Sequence, residues 1–141
     1  MTGDENLLYR FNKHYDSITK YMSLNTNGHE HEIGDGSCMK TVHMHMPNRQ
    51  SRNYIDALLA FWPGIQVLKG DIKGAIKMHE SLNQIVKKHD FLPEAVLFDH
   101  SIHWSSHPLR PEFLESTYYL YRAVSLRFFF LIFHNIFKIF K

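Results

Sequence analysis

The protein has 141 residues, of which 44% are hydrophobic and 21% charged, with a formal net charge of +2. A chain of this length and composition can bury the core of one ordinary domain, which excludes wholesale disorder. The small net charge gives no reason to expect a nucleic-acid partner, and a single cysteine, Cys38, excludes an internal disulfide. The first ten residues have neither the basic nor the apolar region of a signal peptide.

The first predicted element is an amphipathic helix over residues 4–23. Its apolar residues recur at steps of three and four, which places them on one face of a helix. They are Leu7, Leu8, Phe11, Tyr15, Ile18 and Met22. Residues 23–37, SLNTNGHEHEIGDGS, predict a loop or a loose hairpin, and the alternation in TVHMHM, residues 41–46, predicts a short strand.

Two further helices are predicted next. One begins near Ser51 and ends at Pro63-Gly64, because proline disfavours a helical residue before it and glycine permits a left-handed turn. The other covers residues 71–89, with Asp71 as its N-cap. Its apolar face consists of Ile72, Ala75, Ile76, His79, Leu82, Ile85, Val86 and His89.

The remaining elements complete an all-α prediction. Residues 91–98, FLPEAVLF, predict an extended segment, and the final helix begins at Pro111, because proline suits the first helical position. The fold class predicted from these elements is all-α, a few helices with short strands or hairpins.

The eleven histidines raise the question of a transition-metal site. In HEHE, residues 29–32, and HMHM, residues 43–46, imidazoles at alternate positions would share one face of a strand. No cysteine pair and no H-E-x-x-H spacing accompanies them, so a polar loop is the competing interpretation. His79 and His89 are interpreted as packing or surface residues. No metal-binding residue is therefore assigned.

Charged side chains precede and open the last helix in HPLRPEFLESTYYLYRA, residues 107–123. Glu112 and Glu115 fall in the first turn, where the helix dipole favours negative charge. Arg110 precedes them, and its planar guanidinium can orient a carboxylate or a sugar hydroxyl. Two interpretations fit: ordinary capping chemistry, or carboxylates that hold a water and take its proton during sugar hydrolysis.

This segment resembles the L-R-P-E-x-x-E-S-x-x-Y-L-Y-[RK]-A segment of glycoside hydrolase family 47, the calcium-dependent, inverting alpha-1,2-mannosidases. Residues 56–72, DALLAFWPGIQVLKGDI, resemble the family's F-[FW]-P-G-x-Q-x-L-x-G-D-I segment. Residues 86–95 and 103–112 are similar to the ER degradation-enhancing alpha-mannosidase-like subgroup, most of all to its third paralogue type. The resemblance covers residues 9–123 with the blocks in the same order.

The resemblance implies roles for five residues. Glu112 matches the family's general base, which activates the attacking water. Arg110, Glu115 and Glu94 match residues that line the sugar pocket, and Trp62 lies in a turn that is expected near the glycan. Ca²⁺ is the implied cofactor, a hard cation that binds oxygen ligands. No direct protein ligand for it is recognised in this sequence.

The resemblance further implies that the chain is part of an (alpha/alpha)7 barrel and is incomplete, with residues 1–123 a partial family 47 domain. The F-E-x-x-x-R and D-S-[YF]-x-E-Y segments, which carry the other catalytic carboxylates, are expected upstream, and a calcium-binding threonine downstream. A base without its acid loses several kcal/mol of transition-state stabilisation, so the isolated chain is expected to be inactive.

The Phe-rich tail, residues 124–141, departs from the family's T-G-D-P continuation. We interpret it as translated intron sequence. An interfacial membrane helix and ordinary core are the alternatives, and a membrane span is disfavoured because polar residues interrupt an apolar run shorter than about 20 residues.

Two functions from different classes follow from the resemblance. The first is trimming of mannose from high-mannose N-glycans of misfolded glycoproteins in ER-associated degradation, which implies an endoplasmic reticulum location and a protein disulfide oxidoreductase as partner. The second is a glycan-binding adaptor of the same pathway without turnover. A peripheral membrane protein anchored by the tail is a third hypothesis.

Overall fold

The computed structural model describes residues 3–23 and 38–124, in which the chain divides into one compact unit up to Arg52 and a second from Asn53. The first unit contains α1 (Glu5–Met22), β1 (Val42–His43) and β2 (Met46–Gln50). The second contains β3 (Tyr54–Asp56), a 3-10 helix (Ala57–Phe61), α2 (Trp62–Lys69), α3 (Ile72–His89), β4 (Ala95–Leu97), β5 (Ile102–Trp104) and α4 (Glu112–Ala123). The described part is therefore rich in helix with short strands.

Helix α1 confirms the first predicted helix. Asp4 caps it by accepting a hydrogen bond from the backbone N–H of Asn6 at 2.9 Å. Only Tyr15 of its apolar face is buried, whereas Leu7 and Leu8 remain 52% and 59% exposed. The pattern therefore predicted the helix correctly, but not the burial of its apolar stripe.

The predicted single strand over residues 41–46 is wrong. The chain turns at Met44 and His45, and β1 pairs with β2 as an antiparallel hairpin whose register places Val42 opposite Gln50. The backbone N–H of His45 donates to Nδ1 of His43 across the turn. The alternating side chains hid the turn because it contains neither glycine nor proline.

The helix predicted from near Ser51 to Pro63-Gly64 is also wrong. Residues 54–56 form β3, and Asp56 then caps the 3-10 helix by accepting from the N–H of Leu58 at 3.1 Å. Helix α2 begins at Trp62 and runs through Pro63 and Gly64 instead of ending there. Proline in the first turn lacks only an N–H that would have no intrahelical partner, so it starts this helix.

The three strands of the second unit form an antiparallel sheet in the order β3-β4-β5. Ile55 lies opposite Val96, and Ala95 lies opposite Trp104. Strand β4 falls within the extended segment predicted for residues 91–98, and its Ala95 and Val96 are buried. The short strand β5 was not predicted.

Helices α3 and α4 agree closely with their predictions. Asp71 caps α3 by accepting from the N–H of Gly74 at 3.1 Å, as predicted. Helix α4 begins at Glu112, so Pro111 is its cap and not its first residue. Ala75 of α3 and Leu120 of α4 are fully buried against each other, and Val67, Ile76, Tyr121 and Val124 pack around them.

A buried serine joins α4 to the start of α2. Ser116 Oγ donates to the carbonyl of Ala60 at 2.5 Å and accepts from the N–H of Gly64 at 3.1 Å. Both backbone groups lie at the boundary between the 3-10 helix and α2, where helical partners are missing. This hydroxyl therefore satisfies two buried backbone groups from 52 and 56 residues away.

Three sequence predictions concern residues outside those that the structure describes. These are the loop or loose hairpin, of which residues 24–37 are not described, the HEHE segment within it, and the tail beyond Val124, so the interpretations given to all three stay predictions. In the described ranges, no helix has the length and apolar character needed to cross a bilayer.

Candidate functional site

Arg110 and Glu94 form a two-pronged ion pair at the start of α4. Arg110 Nε donates to Glu94 Oε2 at 2.6 Å, and a second guanidinium nitrogen donates to Oε1 at 2.5 Å. The two side chains are 33% and 19% exposed, so the pair is partly shielded from water. Its hydrogen bonds hold the pKa of the Glu94 carboxyl below the ordinary value, against a smaller opposing effect of burial.

The backbone of Glu94 is fixed from both sides. Its N–H donates to the carbonyl of Ser106 at 2.9 Å, and its carbonyl accepts from the N–H of Ala57 at 2.9 Å. These bonds continue the β3-β4-β5 sheet by one residue. The sheet thereby places Glu94 at a defined position, which Arg110 then reaches from the following loop.

Leu109, directly before Arg110, has a left-handed backbone with φ of 53°. For a non-glycine residue this conformation costs about 1–2 kcal/mol. The Leu109 side chain is 73% exposed, so its own burial does little to offset that cost. The ion pair of the next residue is the adjacent interaction that favours this turn.

Glu112 is the carboxylate with an unsatisfied oxygen. Its side chain is half-buried, and its buried Oε2 has no hydrogen-bond partner in the described part of the protein. Buried carboxylate oxygens without a donor are rare, so this atom is suited to accept a hydrogen bond from a ligand or a water. The first turn of α4 adds a positive potential at the same place.

Arg110 lies among three carboxylates. Its hydrogen bonds to Glu94 raise the pKa of the Arg110 guanidinium, and the negative charges of Glu94, Glu112 and Asp56 raise it further. The structure thus brings together Arg110, Glu94 and Glu112, and the roles that the resemblance implies for them stay predictions. Sequence reasoning missed Asp56, which sat inside a wrongly predicted helix, although an Asp before an apolar run is a recognisable capping signal.

The other two predicted site residues occupy different surroundings. Glu115 lies one turn into α4 on the exposed surface, and its N–H donates to the carbonyl of Pro111. Trp62 is only 9% exposed at the start of α2. The sugar contacts expected for both stay predictions.

A cleft of about 500 Å³ borders Arg110. Its lining is mainly apolar and includes Val86, Leu92, Phe113 and Leu114. Glu94, Glu112 and Glu115 do not line it. Arg110, which bonds to Glu94, therefore also lines the cleft, whereas the carboxylates around it do not.

The described residues do not form a complete binding site for the calcium ion that the resemblance implies. Carboxylate oxygens suit a hard cation, but nowhere in residues 3–23 and 38–124 do three His, Cys, Asp or Glu side chains come together as metal ligands. The same statement covers the HMHM segment, residues 43–46. Among these described residues we assign none as a direct ligand, and we derive no step through the ion.

Comparison with known proteins finds a matching family and several similar proteins. The model of glycosyl hydrolase family 47 matches residues 1–141. The human "ER degradation-enhancing alpha-mannosidase-like protein 3" is 51% identical over 123 residues, which are 87% of this chain and 12% of the relative. The protein of the same name from Xenopus laevis is 50% identical over 123 residues, with the same shares. "Alpha-mannosidase I MNS4" of Arabidopsis thaliana is 36% identical over 124 residues, covering 86% of this chain and 18% of the relative. The chain thus spans less than a fifth of the length of these relatives.

Proposed function

Because the chain belongs to glycosyl hydrolase family 47, we propose that it supplies the general-base side of an inverting alpha-1,2-mannosidase site. In this proposal Glu112 takes the proton of the attacking water, and the Arg110–Glu94 pair and Glu115 bind the sugar. The helices of the chain would form part of an (alpha/alpha)7 barrel. The observation that carries the proposal is the buried Oε2 of Glu112, which has no partner in the described residues.

The surroundings of the carboxylates favour Glu112 as the base. Both oxygens of Glu94 accept hydrogen bonds from Arg110, and the pKa of Glu94 is lowered, which makes it a weak base. Glu115 is exposed, so water screens its interactions. Glu112 combines partial burial with an oxygen that can accept a hydrogen bond from water.

The substrate and setting of the reaction belong to the same proposal. We propose trimming of mannose from high-mannose N-glycans of misfolded glycoproteins during ER-associated degradation, with the endoplasmic reticulum as the location. The words "ER degradation-enhancing" and "alpha-mannosidase" in the names of the relatives support the pathway and the reaction. A protein disulfide oxidoreductase is the proposed protein partner. Ca²⁺ is the proposed cofactor and would help to orient sugar hydroxyls when bound.

A chimera tests the proposal. This chain replaces the 123-residue segment that it matches in the human relative, and mannose release from a high-mannose oligosaccharide is measured with and without Glu112→Gln. Glu80→Gln, an exposed change on α3, is the matched control. We expect Glu112→Gln to lower release by about 10²- to 10⁴-fold, since it removes the general base, and Glu80→Gln to leave it unchanged.

The same experiment separates the alternative functions. Glycan binding by the chimera without any release would support a non-catalytic adaptor. Release that persists in the Glu112→Gln chimera would overturn the assignment of the base. The isolated chain is expected to show no release.

A further inference from the structure

We propose that His79 is a positioning residue that fixes the first turn of α4 and thereby places Glu112 beside Arg110. This inference rests on the proposed function, in which Glu112 is the base. His79 belongs to α3, lies 33 positions before Glu112 in the sequence, and is 1% exposed. Burying a polar ring costs free energy of desolvation that an apolar side chain would not incur. The position of His79 in the core therefore indicates that its polar atoms make specific interactions there.

The imidazole makes a directed hydrogen bond to α4. His79 Nε2 lies 2.7 Å from Thr117 Oγ1, and the Thr117 hydroxyl donates to the carbonyl of Phe113 at 2.7 Å. Since the threonine has one hydrogen and gives it to Phe113, it accepts from Nε2–H of His79. Burial lowers the pKa of His79 to about 4, so the ring is neutral at pH 7 and keeps this single tautomer.

The imidazole of His79 also stacks on an aromatic ring in the first turn of α4. The rings of His79 and Phe113 lie 4.7 Å apart with an angle of 12° between their planes. Phe113 directly follows Glu112, and Thr117 lies one turn further along α4. Two contacts one turn apart, one to a ring and one to a hydroxyl, restrict both the rotation and the translation of α4 at its first turn.

The direction of Glu112 depends on that restriction. Its Oε2 has no hydrogen-bond partner in the described residues, so no such bond holds this oxygen in place. The oxygen is therefore directed by the backbone of α4. A rotation of the helix would move it away from the charge of Arg110, with which it interacts. His79 is thus linked to the proposed base through Phe113 and Thr117.

The test uses the chimera described above with four changes at or near His79. His79→Leu removes the hydrogen bond and the flat ring, and His79→Gln keeps an amide N–H that can donate to Thr117. Thr117→Val removes the acceptor at nearly constant shape. Ile85→Val lowers stability elsewhere on α3 and is the control for a general loss of packing.

We expect His79→Leu and Thr117→Val each to lower kcat by about 10- to 100-fold with KM nearly unchanged, because a misplaced base affects the chemical step. The double variant should lose no more than either single variant, and His79→Gln should recover most of kcat. Ile85→Val should keep the original kcat. A His79→Leu chimera with unchanged kcat, or one matched by Ile85→Val, would overturn the inference.

A second measurement does not depend on activity. In the isolated chain at pH 7, the ¹³C resonance of the Glu112 carboxyl and the ¹⁵N resonance of Arg110 Nε report the local arrangement. We expect both to shift in His79→Leu, to return in His79→Gln and to stay in place in Ile85→Val. If the chimera releases no mannose, the proposed function fails, while these resonances still decide whether His79 positions Glu112. Unshifted resonances in His79→Leu would contradict the positioning role.

Discussion

Glu94 and Glu112 carry the same carboxyl group in surroundings that suit them to different roles. Glu94 receives two hydrogen bonds from Arg110, whereas the buried Oε2 of Glu112 has no partner in the described residues. One side chain is held ionised, and the other keeps an oxygen for a ligand. The L-R-P-E motif pointed to Arg110 and Glu112 from the sequence. It gave no sign of the left-handed Leu109, because leucine has no preference for that conformation.

The ion pair leads to a prediction about the acidity of Glu94. Arg110→Gln removes the positive partner, so the pKa of Glu94 should rise towards its ordinary value. The lowered pKa stabilises the fold above the unfolded-state pKa and loses that effect as pH falls, so the variant should show a weaker loss of stability in acid. Carboxyl ¹³C NMR during a pH titration measures the change. Arg122→Gln, on the exposed end of α4, is the control and should leave Glu94 unaltered.

His79 leads to a prediction about stability and pH. Burial lowers its pKa from the ordinary 6.5 to about 4 in the folded protein, so the unfolded chain binds more protons between these values. Its contribution is therefore complete above pH 6.5 and is lost as pH falls towards 4. The free energy of unfolding should drop by about 2 kcal/mol more between pH 7 and pH 5 in the original protein than in His79→Gln. Urea unfolding at each pH measures both, and parallel curves would contradict the burial of a neutral His79.

At the scale of elements, local signals gave reliable predictions where one cap and one apolar face acted together. Helix α3 has Asp71 at its start and a periodic buried face, and its predicted range agrees with the structure. The region after Ser51 was wrongly predicted as a helix, because its apolar spacing also fits a strand followed by a 3-10 helix. Its conformation is decided by pairing with β4, about 40 residues later, which no local pattern reports.

The cap of α3 should be measurable on its own. Asp71→Ala leaves the N–H of Gly74 without its acceptor and should lower the free energy of unfolding by about 1 kcal/mol. Glu80→Ala removes the same charge from the exposed middle of α3 and serves as the control. The midpoints of urea unfolding, compared at an unchanged dependence of stability on urea concentration, give the difference in free energy of unfolding between the two variants. Equal midpoints for the two variants would show that the cap contributes nothing.

Ser116 should contribute more than a surface serine. Ser116→Ala leaves the carbonyl of Ala60 and the N–H of Gly64 buried without this partner, which should cost about 1–3 kcal/mol. Ser105→Ala, in the exposed segment before α4, should change stability by less than about 0.5 kcal/mol. Thermal unfolding of both variants compares them. A Ser116→Ala protein as stable as the original would mean that other groups satisfy this helix boundary.

At the scale of the whole molecule, several large apolar side chains of the described residues are exposed to solvent. Leu7, Leu8 and Tyr9 of α1 are 52%, 59% and 67% exposed. The sequence predicted Leu7 and Leu8 as members of an apolar face, but periodicity cannot show what covers a face. Exposed apolar clusters of this kind favour association with other surfaces.

The exposed face of α1 predicts self-association of the isolated chain. Leu8→Glu should shift the sedimentation coefficient towards that of a monomer, because a charge on this face opposes apolar contact. Lys13→Gln makes the same change in net charge at another exposed position of α1 and should leave association unaltered. Sedimentation velocity at several concentrations distinguishes them. A chain that is monomeric at every concentration would contradict the prediction.

The hydrogen bonds of Ser116 also have a consequence for how the chain is made. The carbonyl of Ala60 accepts its hydrogen bond from a serine 56 residues later in the sequence. The backbone groups at the boundary between the 3-10 helix and α2 therefore lack this hydrogen-bond partner while those residues are synthesised. At about 5–20 residues per second, this interval lasts roughly 3–11 s on the ribosome. During that time the apolar residues of α2 and α3 have no α4 to cover them. The nascent chain would then expose these apolar residues to chaperones before α4 is complete.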